Sequence, residues 1–150
     1  MTYRVLIAGA GQMGRGWGEI LRDCPDTNIV AWVDVLPGVA ARAAKELGVR
    51  GVLTDTDLER AITTARPDFM VDVSPPEAHR DVTLAALARG LPVLGEKPMA
   101  ATMAQAREMV AAAERAGTLY MVSQNRRYDR NLAALRRLIG EHTGPVGILN

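Results

Sequence analysis

Gly9, Gly11 and Gly14 stand at the spacing Gly-x-Gly-x-x-Gly directly after the apolar run Val5–Ala8. That pattern suits anion binding: the first glycine permits a tight turn, the second lets backbone approach a phosphate, and the third lets the next helix pack against the strand. Gln12 and Met13 open that helix. Their amides have no intrahelical partner and lie at the positive end of the helix dipole, where an anion gains about 0.3–1 kcal/mol per interaction. Asp34 closes a second apolar run, 20 residues beyond Gly14. A carboxylate there accepts hydrogen bonds from both hydroxyls of an adenosine ribose, whereas a 2′-phosphate would meet like charge. The next residues are Val35, Leu36 and Pro37, so no arginine follows at once. The expectation is a dinucleotide cofactor, NAD in preference to NADP. With 14 glycines in the chain the fingerprint alone is weak, and a turn aspartate after a strand is the competing account of Asp34.

These residues need a frame that puts them on one rim. Continuous apolar runs at Tyr3–Ala8, Ile29–Asp34, Phe69–Ser74, Pro92–Gly95 and Leu119–Gln124, with a weaker one at Gly51–Leu53, read as strands buried on both faces. Helical stretches alternate with them. Gln12–Cys24 carries Met13, Trp17, Ile20, Leu21 and Cys24 on one face, and Gly16 and Gly18 within it have no readable role. A second helix is expected from Pro37 to just before Gly48, a third from about Asp57, and a fourth over Pro76–Arg89. Thr102-Met103-Ala104-Gln105 is a capping box opening a fifth, which Gly117 ends. Strands alternating with helices predict an α/β fold, a doubly wound parallel Rossmann sheet in the order 3-2-1-4-5-6. Ligands of such sheets bind outside the carboxyl ends of the strands. Ser74-Pro75-Pro76, Glu96-Lys97-Pro98 and Gln124-Asn125-Arg126-Arg127 all fall at those exits.

Composition narrows the classes further. The 150 residues suffice for one domain, and 18 Lys+Arg against 17 Asp+Glu give no bulk pull toward nucleic acid or an anionic membrane. One cysteine, Cys24, rules out an intrachain disulfide, and His79 and His142 have no companions at metal-ligand spacing. No metal site is expected. Neither a leader peptide nor a run of about 18 apolar residues is evident, so a cytoplasmic protein is expected.

The whole chain resembles the glucose–fructose oxidoreductase and inositol dehydrogenase family (Gfo/Idh/MocA). The likeness rests on the opening fingerprint, on Ser74-Pro75-Pro76-Glu77-Ala78-His79, on Gly90-Leu91-Pro92-Val93-Leu94-Gly95-Glu96-Lys97-Pro98-Met99-Ala100, and on Gln124-Asn125-Arg126-Arg127-Tyr128-Asp129. Glu-Lys-Pro in that setting is its most specific part. The resemblance implies NAD(P)-dependent hydride transfer between nicotinamide and a hydroxyl or keto carbon of a sugar, polyol or related compound. It makes Lys97 the catalytic residue, binding substrate and assisting proton transfer. Glu96 lies near the nicotinamide ribose, and the Lys97–Pro98 bond is often cis in the family. Ser74, Pro75, His79 and Asn125 join Gly9, Gly11, Gln12, Met13, Gly14, Asp34, Glu96 and Lys97 around the cofactor. A cationic lysine suits that chemistry, because it stabilises a developing alkoxide or carries its proton. His79 packs beside the cofactor or hydrogen-bonds locally, Arg127 faces substrate or forms a solvated or interdomain ion pair, and Trp17 and Trp32 read as core.

One departure is large. The family's acid/base histidine follows an aspartate four residues earlier, whereas Pro75 and Leu138 precede His79 and His142 at that distance. The expected organisation is therefore a dinucleotide-binding domain over 1–124, with 125–150 as a linking helix and the first strand of a missing or truncated substrate domain. That strand would be Val146–Leu149, and the parent enzyme is expected to be a homo-oligomer. The alternative is a stand-alone dinucleotide-binding or regulatory module without catalysis. An NADP-dependent enzyme would need Asp34 turned away and an arginine such as Arg42 reaching in.

Overall fold

The structure, a computed structural model, describes residues 1–142 and 144. Its elements are β1 (Tyr3–Ala8), α1 (Gln12–Asp23), β2 (Thr27–Val33), α2 (Val39–Glu46), β3 (Leu53–Asp55), α3 (Leu58–Ala65) and β4 (Phe69–Asp72). They continue with α4 (Pro76–Leu87), β5 (Val93–Gly95), α5 (Met103–Ala116), β6 (Tyr120–Val122), a 3-10 turn over Asn125–Tyr128 and α6 (Arg130–Glu141). The strands form one six-stranded sheet in the order β3-β2-β1-β4-β5-β6, parallel at every pairing. This is the predicted order. The expected strand over Val146–Leu149 lies outside the described residues.

Alternation along the central strands builds two separate cores. Leu6, Ala8, Met70 and Val93 face a layer with Ala61, Ile62 and Ala65 of α3 and Ala86 and Leu87 of α4. Val5, Ile7, Val71 and Val73 face the opposite way, toward Leu21 of α1 and Ala40, Ala43 and Ala44 of α2. Helices on both faces explain why β1 reads as a continuous apolar run: Val5, Leu6 and Ile7 are all fully buried. Burial of each such side chain is worth about 1.5–3 kcal/mol.

Local chemistry moves several boundaries. α2 starts at Val39 rather than at Pro37, because the Asp34 carboxylate accepts the Leu36 amide at 2.9 Å and Gly38, at φ 78°, completes the turn. β3 lies at Leu53–Asp55, two residues beyond its expected start, and Asp57 caps α3 by accepting the Arg60 amide at 3.0 Å. The capping box of Thr102 and Gln105 is present, with Gly117 in the left-handed region closing α5.

The expected apolar face of α1 needs correcting. Ile20 and Met13 are exposed, whereas Gly14, Gly18 and Leu21 are buried and Trp17 is half-buried. Two glycines share the packing stripe with Leu21 and Trp17. A Cβ on Gly14 would stand 2.2 Å from the Gly9 carbonyl oxygen, and one on Gly18 would stand 2.5 Å from the Trp32 ring. A Cβ on Gly16 would meet nothing within 4 Å.

Candidate functional site

A cleft of about 630 Å³ opens over the carboxyl ends of β1, β2, β4 and β5, a volume within the usual range for ligand sites. It sits at the switch point, where β1 sends its chain to β2 on one side and has β4 on the other. The turn after β1 contributes Gly9, Gly11, Gln12 and Met13, and β2 contributes Asp34. The β4 exit adds Ser74, Pro75 and His79, and the β5 exit adds Glu96 and Lys97.

Each glycine of the fingerprint has a separable cause. Gly9 adopts φ 106°, and a Cβ there would strike the Val73 carbonyl oxygen at 2.7 Å. Gly14 is buried behind the turn rather than in the cleft wall. Gly11 is exposed on the cleft side, and a Cβ there would meet nothing within 4 Å. The open space at Gly11 is where a phosphate could approach backbone. Gly11 is also the N-cap of α1, offers no side-chain cap, and no acidic residue occupies the first helical turn. Those amides and a phosphate are complementary.

The turn is held by hydrogen bonds to β2 and the residue after it. The Gly9 amide donates to the Val33 carbonyl at 2.8 Å, and the Ala10 amide donates to Asp34 Oδ2 at 2.8 Å. Trp32 is fully buried, and its Nε1–H donates to the Gly9 carbonyl at 2.9 Å. Asp34 accepts one backbone amide on each oxygen, so each keeps a lone pair for a ribose hydroxyl. Arg42 is exposed on α2 and does not line the cleft.

At the far end, Glu96 is almost buried and Lys97 is exposed. Glu96 Oε2 accepts the Lys97 amide at 3.0 Å, and Oε1 accepts Trp17 Nε1–H at 3.1 Å. Trp17 thus ties α1 to the β5 exit, a contact hidden in a sequence where it reads as core. The Lys97–Pro98 peptide is cis. Beneath the β4 exit lies a buried polar group of Asp72, His79 and Thr83, with Ser74 above it. Asp72 interrupts the buried segment Met70–Val73, the one sequence signal that it serves more than packing. Burial and the charge of Asp72 push the Tyr120 phenol up to about 12, so it stays protonated at neutral pH. Asn125 and Arg127 are not in the cleft: both are exposed on the 3-10 turn after β6. Arg127 pairs with no carboxylate among the described residues.

Sheet order, glycine turn and switch-point cleft together define a Rossmann-type dinucleotide-binding domain. Residues 3–124 match the family model GFO_IDH_MocA, described as "Oxidoreductase family, NAD-binding Rossmann fold", and the chain belongs to that family. It is 36% identical over 138 residues to the inositol 2-dehydrogenase of Streptomyces avermitilis, covering 90% of this chain and 39% of that protein. Among solved structures it resembles GenD2 from gentamicin A biosynthesis in complex with NAD, at TM-score 0.82 and 27% identity over 91% of this chain and 38% of the other. The scyllo-inositol dehydrogenase of Lactobacillus casei, solved with NAD(H) and scyllo-inositol, shares the fold at TM-score 0.81 and 24% identity, over 94% and 42% of the two chains. The chain spans about two fifths of the length of the curated relatives it matches. Among the described residues no helix is long and apolar enough to cross a membrane.

Proposed function

We propose that this chain is the cofactor-binding part of an NAD-dependent oxidoreductase acting on a hydroxyl or keto carbon of a sugar, polyol or related compound. The observation that carries the reading is one cleft with an uncapped helix N-terminus behind Gly11 at one end and Glu96-Lys97 at the other. NAD, when bound, supplies the hydride acceptor. Gly11 and the first amides of α1 hold the pyrophosphate, Asp34 accepts the adenosine ribose hydroxyls, and Glu96 takes the nicotinamide ribose. Lys97 holds the substrate hydroxyl and takes up or returns its proton. The inositol dehydrogenase relative supports a polyol or sugar as substrate. Asp34 in the cleft wall, with Arg42 outside it, favours NAD over NADP.

On this reading residues 1–124 are the dinucleotide domain, and 125–150 lead into a substrate domain. The exposed Leu132, Leu135, Leu138 and Ile139 on α6 support that division, because they offer an apolar edge for further chain to cover. The test is titration with NADH and NADPH. NADH is expected to bind tighter, Asp34→Ala to weaken it about tenfold, and Lys97→Ala to leave its affinity within about twofold. Lack of NADH affinity at millimolar cofactor sinks the reading. Binding retained by a full-length protein that turns over no sugar or polyol would instead favour a non-catalytic module.

A further inference from the structure

Asp72 ends β4, fully buried, and four donors converge on its two oxygens. Ser74 gives Oδ1 its amide at 3.1 Å and its hydroxyl at 2.6 Å. Thr83 Oγ1 donates to Oδ2 at 3.1 Å, and His79 Nδ1 lies 3.0 Å from the same oxygen. A carboxylate only accepts, so the contact requires a proton on Nδ1. Ser74 Oγ, 3.4 Å from Nδ1, has its own proton committed to Asp72 and can only accept as well. Both neighbours demand the Nδ1–H form. In neutral imidazole the lone pair then falls on Nε2. Nε2 has no hydrogen-bond partner among the described residues, no buried side-chain nitrogen is left unpaired, and His79 lines the cleft. Its free nitrogen therefore keeps some accessible surface, on a side chain that lines the cleft.

We infer that Asp72 is a positioning residue, fixing His79 with Nδ1 protonated so that Nε2 stands as a hydrogen-bond acceptor for a donor on the cofactor. This rests on the cofactor reading above. The donor is a ribose hydroxyl or the carboxamide N–H of the dinucleotide, either of which can donate to an unprotonated ring nitrogen. Asp72→Asn tests it, because the amide keeps the shape of the carboxylate yet can donate to Nδ1 and stabilise the opposite tautomer.

The tautomer can be read by 15N NMR of the imidazoles, with His142→Gln leaving His79 as the single histidine. The expected spectrum has Nδ1 carrying hydrogen and Nε2 bare, with the pattern reversed in Asp72→Asn. NAD affinity is expected to fall about tenfold in Asp72→Asn and in His79→Phe, and no further in the double variant. Equal losses for NAD and ADP-ribose support a ribose hydroxyl as donor, and a loss for NAD alone supports the carboxamide. The inference is overturned if the unaltered chain carries hydrogen on Nε2, or if Asp72→Asn weakens binding equally when His79 is already phenylalanine. If the unaltered chain binds neither nucleotide, the cofactor reading falls; a wrong tautomer in a chain that binds both removes the dyad alone.

Discussion

At the scale of single residues, two glycines only two positions apart on α1, and so on nearly opposite sides of it, should behave oppositely. Gly18→Ala would drive a methyl into the Trp32 ring at 2.5 Å. It is expected to destabilise the fold by about 1–3 kcal/mol in urea denaturation. Gly16 faces open space, so Gly16→Ala gains helix propensity and is expected to stabilise by about 0.5–1 kcal/mol. Neither role was legible in the sequence, because a helical pattern shows where large apolar residues recur and not where a neighbouring strand brings an indole. The same limit hid the Trp17–Glu96 hydrogen bond. Trp17→Phe keeps a ring there and removes the donor. Because Glu96 then loses one of its two anchors, NADH titration is expected to show weaker binding by about threefold to tenfold, with the melting temperature within a few degrees. The placement of Asp34 and Lys97 on the cleft rim, by contrast, was legible from position, since the exit of a parallel strand exposes whatever residue stands there.

Elements carry a different kind of information. The capping box of α5 and the glycines ending helices act within a few residues, so sequence sufficed for them. Strand β3 is only Leu53–Asp55, and its neighbour β2 sets its register, which a local reading of Gly51–Leu53 could not supply. Asp55 shows what fixes this junction. Its carboxyl accepts Arg60 Nε at 2.7 Å and the amides of Thr56 and Asp57 at 2.7 and 3.0 Å. The Arg60 guanidinium, with those amides, holds Asp55 well below the ordinary carboxylate range. A depressed folded value means the contribution is complete above the unfolded value of about 3.9 and is lost as pH falls below it. The stability gap between the unaltered chain and Asp55→Asn should therefore be widest above pH ~4 and narrow toward pH ~2, followed by urea midpoints. α6 makes the opposite case. Leu135 and Leu138 are at least half exposed, so Leu135→Gln should leave the unfolding midpoint of this chain nearly unchanged, within about 0.5 kcal/mol.

For the whole molecule, the order of the sheet followed from alternation of apolar runs and helices, which is a property of topology and survives errors of two residues at each boundary. The cleft was legible to the same extent, because the strand exits of such a sheet share one rim. Asn125 and Arg127 stand past the last strand, on the 3-10 turn, and do not line the cleft. The indole of Trp32 has a wider consequence. It is wholly screened from solvent in the core between β2, α1 and α2, yet its N–H ends on the carbonyl of Gly9. Ligand affinity and core cohesion are then linked quantities: whatever loosens that core adds to the ordering cost of binding at the turn, and whatever binds the turn raises the melting temperature in proportion to the logarithm of its concentration. A nucleotide site of this kind is sensitive to mutations that never appear on its surface, and drift in the buried layer would surface first as a weaker dissociation constant.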